Sequence, residues 1–187
     1  MANNLKTAGK KGFSLLAIAL AFIVFIGLVS WGPAPKTYSN RFISFSYPNK
    51  FKITDEEDGG DEYDLNCEYK GKYLAIINFS ITTVSDAKGL DQESIDDILK
   101  NSIKTIRETL ESNENYTDIE CSSIKKATKG DNTGYEFIFS AKFMEFPIYG
   151  KSFITYSDGT LVVAVAQAEN TDLMDQLNEI ISSMKIK

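Results

Sequence analysis

Every second residue is apolar in several short segments after residue 40, which is the pattern of half-buried β-strands. Asp158 and Gly159 separate two of these segments, and this dipeptide favours the positive φ values of a tight hairpin turn. The last strand of that hairpin is apolar on both faces, which predicts a central position in a sheet. The segments with the alternating pattern are 43–47, 73–81, 134–143, 152–156 and 161–168, with weaker examples at 65–69 and 116–124.

Two segments, 91–112 and 171–184, instead have apolar residues at the 3.6-residue spacing of an α-helix. Many strands with only two helices do not fit alternating β-α-β units. The sequence therefore predicts an α+β domain with a largely antiparallel sheet and both helices packed on it. In the first helix the stripe expected to be buried consists of Ile95, Ile98, Leu99, Ile103, Ile106 and Leu110.

The start of the chain has the features of a membrane anchor. Segment 13–29 contains 17 uncharged residues, and three lysines precede it. At about 1.5 Å per residue such a helix is roughly 25 Å long, and two further residues bring it close to the thickness of a bilayer core. We therefore predict that 13–31 is a transmembrane signal anchor that ties the protein to the cell membrane.

The lysines also predict the orientation, because positive charge favours the cytoplasmic side of a membrane. The expected organisation is a basic cytoplasmic flank (1–12), the anchor, a linker (32–40) and one globular domain (41–187) outside the cytoplasm. The alternative is a signal peptide cleaved after Ser30, which would release a secreted protein.

Charge is divided unevenly along the chain. Residues 1–35 contain three cations and no acids, so the net charge of −6 is the sum of +3 there and −9 in residues 36–187. An acidic domain repels phosphate backbones, and we expect no nucleic-acid partner. The chain has no histidine, which excludes a Ser-His-Asp triad, a Cys-His dyad and histidine-ligated metal sites.

Segment 55–64 (DEEDGGDEYD) contains seven carboxylates in ten residues. Because Ca²⁺ binds carboxylate oxygens, Asp55, Glu57, Asp58 and Asp61 are candidate ligands. Their spacing does not follow the register of an EF-hand loop. We therefore expect a solvated charged loop and no cofactor, with calcium binding as the alternative.

The two cysteines, Cys67 and Cys121, share the strand phase of apolar neighbours and are expected to point inward. We expect two reduced, buried thiols. The alternative is a disulfide, which can form outside the cytoplasm and would close a loop of about 53 residues and contribute roughly 4 kcal/mol to stability. Catalysis by either thiol is not expected, since no histidine is present to activate it.

Segment 142–153 (KFMEFPIYGKSF) is predicted to connect two strands and is rich in apolar residues. Exposed apolar side chains on a connection indicate a site for a partner. We therefore predict that Met144, Phe146, Pro147 and Tyr149 bind a protein partner. The alternative is that most of the apolar residues in this segment cap the core.

The order of these elements resembles the PsbP-like fold. The resemblance depends on the opening strand followed by Tyr47, Pro48 and the aromatic Phe51, and on the final helix that runs into SSMKIK. It covers residue 38 to the end of the chain. It implies a small extracytoplasmic or lumenal domain with an assembly or auxiliary role, and no shared active site.

These features predict a membrane-anchored, extracytoplasmic module that binds a partner and is not an enzyme. The alternative is a hydrolase that uses a carboxylate pair, such as Glu136 with Glu145, or the acidic segment 55–64. Two carboxylates can supply acid and base catalysis without histidine. A concave pocket with a raised carboxylate pKa would favour the hydrolase.

Overall fold

The computed structural model describes residues 34–84 and 89–187. The predicted anchor at 13–31 and its basic flank lie outside these residues. The chain divides into two units after Ala34, and every strand and helix given below belongs to the second unit, Pro35–Lys187. Neither helix in the described part of the chain is long and apolar enough to cross a membrane.

The described residues form eleven strands and two helices. In chain order the elements are β1 (Lys36–Ser39), β2 (Ile43–Tyr47), β3 (Phe51–Asp58), β4 (Glu62–Tyr69), β5 (Ala75–Thr83), α1 (Gln92–Glu111), β6 (Tyr116–Cys121), β7 (Lys125–Lys129), β8 (Asn132–Phe143), β9 (Phe146–Ser157), β10 (Thr160–Ala168), α2 (Thr171–Ser183) and β11 (Lys185–Ile186).

The strands form two antiparallel sheets. The smaller sheet has the order β1-β2-β11, and the larger has the order β3-β4-β5-β10-β9-β8-β6. β7 is the eighth strand of the larger sheet and shares the outer edge of β8 with β6. The predicted α+β class and the antiparallel sheet are confirmed, and so is the central position of β10.

The two helices cover opposite faces of the larger sheet. α1 packs on β8, β9 and β6, whereas α2 packs on β10, β5 and the small sheet. The strand register produces the two faces: Phe153 pairs with Ala164 on the side of α2, and the adjacent pair Ile154 and Val163 lies on the side of α1. Two separate apolar cores result, one on each face.

Side-chain caps fix where both helices begin. The Asp91 side chain accepts a hydrogen bond from the backbone N–H of Ser94, and the Asn170 side chain accepts one from the N–H of Leu173. The hairpin predicted at residues 158 and 159 is also confirmed. Asp158 (φ 46°) and Gly159 (φ 86°) join β9 to β10.

The stripe predicted for α1 is wider than its buried face. Leu99 and Ile103 are buried, but 41% of Ile98 is exposed, so the expectation that Ile98 lies in the core is wrong. Successive helix residues differ by about 100° around the axis, and α1 rests on only three strands of the sheet. The sheet therefore covers one side of the stripe only.

Three segments predicted to be irregular contain strands. β1 lies inside the predicted linker 32–40, because its four residues pair with β2. The acidic segment 55–64 is mostly strand, since β3 and β4 pair through it. Segment 142–153 is the tip and first part of the β8–β9 hairpin rather than a long connection. Backbone pairing to neighbouring strands explains all three differences.

A candidate interaction surface at one end of the sheet

Exposed apolar side chains gather at one end of the larger sheet. Three neighbouring strands are in register there, because Ala168 of β10 pairs with both Ala75 of β5 and Tyr149 of β9. Within the described residues, five of the eight large apolar side chains that are exposed belong to this end: Tyr73, Leu74, Met144, Phe146 and Tyr149. We call these five residues, together with Pro147, the end surface.

A tight hairpin carries the tip of this surface. Met144 (φ 49°) and Glu145 (φ 71°) form the two-residue connection between β8 and β9. Positive φ at both central positions is the conformation of the type I′ turn, which matches the twist of the paired strands. The turn allows Phe143 and Phe146 to pair directly, and it leaves 68% of Met144 and 63% of Phe146 exposed.

A depression of about 400 Å³ lies beside the tip, and Tyr73, Phe146 and Pro147 form its apolar wall. The opposite wall contains polar residues at the junction of β10 and α2, namely Glu169, Asn170 and Asp172. A second depression, of about 330 Å³, is lined by the connection between β4 and β5 and shares Tyr73 and Glu169 with the first. The end surface is therefore grooved.

The polar wall of the groove is acidic. Among the described residues, the carboxylates of Glu169 and Asp172 form no ion pair. The ammonium nitrogen of Lys72 lies 5.8 Å from the centroid of the Tyr73 ring, which is within the range of a cation–π contact. The groove thus combines aromatic rings with two carboxylates that remain available to a partner.

The structure brings the four predicted partner-binding residues together and exposes them all. The alternative that this segment caps the core applies to Ile148, of which only 1% is exposed, because it lies on the face covered by α1. Sequence reasoning missed Tyr73, Leu74, Glu169 and Asp172. These residues lie far from the hairpin in sequence, and only the register of β5, β10 and β9 places them beside it.

The four candidate calcium ligands are not all brought together. Side chains alternate along a strand, so Asp55 and Glu57 point to one face of β3 and Asp58 points to the other. Asp58 pairs with Arg41, with 2.6 Å between the charged atoms. In the described ranges, no group of three or more carboxylate or thiol side chains is arranged to hold a metal ion. Asp61 lies in the turn between β3 and β4.

The structure contradicts the disulfide between Cys67 and Cys121, because both thiols are free. Cys67 lies in the core under α2, and Cys121 packs against the core under α1. Their strands are five strand spacings apart, each about 4.8 Å, which is far beyond the reach of a disulfide. Burial raises the pKa of Cys67 to about 12 and also raises the pKa of Cys121.

The carboxylate pair considered for hydrolysis is also separated. Glu136 is buried in β8, whereas Glu145 lies in the turn that follows it. Seven residue steps of about 3.3 Å, roughly 23 Å, separate Glu136 from the end of β8, while paired catalytic carboxylates lie about 5–10 Å apart. Burial alone would raise the pKa of Glu136, but three lysines outweigh it and hold this pKa below its usual range.

No protein-family model matches the sequence, and no curated protein matches it in sequence. Several solved structures are similar in fold. Cyanobacterial PsbP (CyanoP) from Synechocystis has a TM-score of 0.54 and 14% identity, and the match covers 84% of this chain and 96% of that one. A protein from Bacteroides thetaiotaomicron has a TM-score of 0.53 and 12% identity, with 81% of this chain and 48% of that one covered.

LpqN, involved in cell envelope biogenesis of Mycobacterium tuberculosis, has a TM-score of 0.48 and 16% identity, with 82% of this chain and 90% of that one covered. The likeness to CyanoP spans nearly the whole of that protein. The domain formed by the described residues therefore has a PsbP-like fold.

Proposed function

We propose that this protein is a membrane-anchored, extracytoplasmic accessory module that binds a protein partner through its end surface and catalyses no reaction. The observation that carries the proposal is the concentration of exposed apolar side chains at one end of an otherwise acidic domain. Monomeric soluble domains rarely keep large apolar side chains clustered in water unless the cluster is used for binding.

The chemistry of the end surface fits a protein interface. Aromatic residues and methionine are enriched at the centres of such interfaces, where a few side chains supply most of the binding energy. Phe146 and Tyr149 are two such side chains on one rigid hairpin, and Pro147 between them has no backbone N–H that would need a partner. Burial of these groups by a partner would remove their apolar surface from water.

The location outside the cytoplasm rests on segment 13–31 and on the lysines that precede it. If the segment is retained, the protein stays in the membrane fraction after washing with alkaline carbonate, and its intact mass includes Met1. A soluble extracellular species that begins near Trp31 would contradict the proposed membrane anchor. It would not bear on binding by the end surface.

The binding role is tested by crosslinking in intact cells, with full-length protein and with the double variant Phe146→Ala and Tyr149→Ala. We expect capture of crosslinked neighbours to fall at least about tenfold, because aromatic anchors at interfaces are each worth about 2 kcal/mol or more. The matched control is Ile98→Ala with Ile138→Ala, which removes two exposed apolar side chains elsewhere on the domain.

Both double variants should stay folded, with melting temperatures close to each other, since all four side chains are partly exposed. Equal capture by the end-surface variant and the wild type, with folding intact, would show that the partner binds elsewhere. Equal loss in both double variants would show a general loss of apolar surface and would also contradict the proposal.

A further inference from the structure

Three lysines surround one buried carboxylate where β7, β8 and β9 run side by side. The ammonium nitrogens of Lys125, Lys129 and Lys151 lie 3.3, 3.0 and 3.6 Å from the carboxylate oxygens of Glu136. Glu136 is 4% exposed and Lys151 is 8% exposed. We call these four residues the lysine cluster.

Strand register gathers the cluster on the face of the sheet that α2 covers. Lys125 pairs with Glu136, and Glu136 pairs in turn with Phe153, which belongs to the core under α2. Lys129 and Lys151 approach the same oxygen, Oε2, at 3.0 and 3.6 Å. That oxygen is therefore shared between two cations.

The cluster differs from the other ion pairs among the described residues. Each of those joins one cation to one carboxylate, as in the pair of Lys126 with Asp96 and the pair of Lys142 with Asp118. In the lysine cluster, three cations share one carboxylate and two positive charges remain without a counterpart. This excess occurs in a domain that is otherwise strongly acidic.

A buried ammonium group beside a second cation is unfavourable, because little water screens the repulsion between Lys151 and Lys129, whereas Lys125 is mostly exposed. Burial lowers the pKa of Lys151, and repulsion from Lys129 lowers it further, whereas attraction to Glu136 opposes both effects. A further anion beside Lys129 and Lys151 would relieve this repulsion.

We propose that the lysine cluster is a binding site for a phosphate group. A phosphate monoester or inorganic phosphate carries about −1.5 to −2 charges at neutral pH, which matches the excess of two positive charges. Lysine ammonium groups bind phosphate oxygens as point charges. The side chain of Lys125 is 59% exposed and that of Lys129 is 20% exposed, so the site opens to solvent on the side of β7.

The lysine cluster is separate from the end surface. The phosphate-binding proposal therefore does not depend on the proposed partner role. The phosphate group has two sources, a free anion or the headgroup of a lipid. Inorganic phosphate probes the first source, and a soluble short-chain phosphatidate probes the second. Both present the same chemical group to the lysines.

The test follows thermal unfolding of the full-length protein in an uncharged detergent at neutral pH. Sodium phosphate replaces sodium chloride at constant ionic strength, so that general screening of charge does not change. We expect a saturable rise of the melting temperature, because a ligand that binds only the folded state stabilises it. Phosphatidate is added in a parallel experiment at the same ionic strength. The lower of the two half-saturating concentrations shows which source binds more tightly.

The variants Lys129→Met and Lys151→Met should each raise the half-saturating phosphate concentration at least about tenfold, since each removes one charged contact. The matched control is Lys126→Met, which removes the same charge from the same strand on the opposite face. This control should keep the wild-type response.

The absence of a phosphate-specific rise with both probes would overturn the proposal. An undiminished response in Lys129→Met and Lys151→Met would overturn it as well. An equal loss in Lys126→Met would show attraction by overall charge rather than a site. Lys129→Met alone decides the matter if Lys151→Met fails to fold, because Lys129 lies nearer to solvent.

Discussion

The hydroxyl oxygen of Tyr38 lies 2.6 Å from that of Tyr63, and both are within hydrogen-bond distance of Oε2 of Glu56. Tyr38 belongs to β1, whereas the other two residues belong to β4 and β3 of the larger sheet. The Tyr38 ring also packs against Phe45, with 5.2 Å between centroids. The strand within the predicted linker is therefore an integral part of the domain.

Burial raises the pKa of the Tyr38 hydroxyl above its usual value, and the contacts with Tyr63 and Glu56 raise it further. The hydroxyl therefore stays protonated and keeps its hydrogen bond. We expect Tyr38→Phe to lower the free energy of unfolding by about 1 kcal/mol, measured by urea denaturation. Tyr149→Phe, which removes an exposed hydroxyl, should leave it unchanged. Identical denaturation midpoints for Tyr38→Phe and the wild type would show that β1 is only loosely attached.

The buried part of α1 can be located with two matched substitutions. Ile103→Asp places a charge in a position that is 0% exposed, whereas Ile98→Asp places it where 41% of the side chain is exposed. An unpaired buried charge costs several kcal/mol, so Ile103→Asp should lower the melting temperature strongly or prevent folding. Ile98→Asp should cost about 1 kcal/mol or less. Similar melting temperatures for the two variants would mean that α1 packs with a different rotation.

The contribution of Glu136 to stability depends on pH in a defined direction. Its pKa is lower in the folded protein, since the lysines outweigh the effect of burial, so the folded state favours the ionised carboxylate. This stabilisation is present above the unfolded pKa of about 4.3 and is lost as the pH falls through the lower folded pKa. We therefore expect the difference in unfolding free energy between the wild type and Glu136→Gln to shrink on acidification. Glu145→Gln is the exposed control. If the difference in unfolding free energy between the wild type and Glu136→Gln grows on acidification, the prediction is wrong.

The two thiols should react slowly and at different rates. Cys67 is 0% exposed and its pKa is raised to about 12 by burial, whereas Cys121 is only partly buried. We expect an alkylating reagent to label Cys121 before Cys67 in the native protein, because the thiolate is the reactive species. Both should react once the protein is unfolded without a reductant. Failure of both to react under those conditions would indicate a disulfide that the structure does not contain.

Elements with a complete amphipathic pattern could be predicted from the sequence. β2 was predicted at its observed residues, and both helices were predicted to within one residue of their observed ends. Each of these elements buries one side against a core, so the spacing of its apolar residues shows where it begins and ends. The Asp158–Gly159 hairpin was predictable because its backbone conformation favours this dipeptide.

Two strands that lie at a sheet edge, β7 and β1, were missed. β7 reads KKATK, and both of its faces carry charged residues, because two of its lysines pair with Glu136 and a third pairs with Asp96. β1 is mostly exposed and pairs only with β2. Neither strand shows apolar alternation, since each contributes only one side chain to a core, Tyr38 from β1 and Ala127 from β7. Long-range backbone pairing, which the sequence does not display, determines both.

The candidate site could be predicted only in part, because pairing between distant strands brings some of its residues together. The residues contributed by the β8–β9 hairpin are contiguous, so their apolar character was visible in the sequence. Tyr73 and Glu169 join them through pairing between β5, β10 and β9 over long separations along the chain. The lysine cluster was missed because it assembles from three different strands.

The acidic run of β3 has a consequence for the behaviour of the protein in concentrated solution. β3 is the last strand at its end of the larger sheet, and its second half is exposed. A terminal strand offers unpaired backbone groups to any similar strand of another molecule, which promotes aggregation. Carboxylates at Asp55, Glu56 and Glu57 repel an identical strand that approaches edge to edge. The same charges that suggested a cation site therefore keep copies of the protein from adding to one another's sheets.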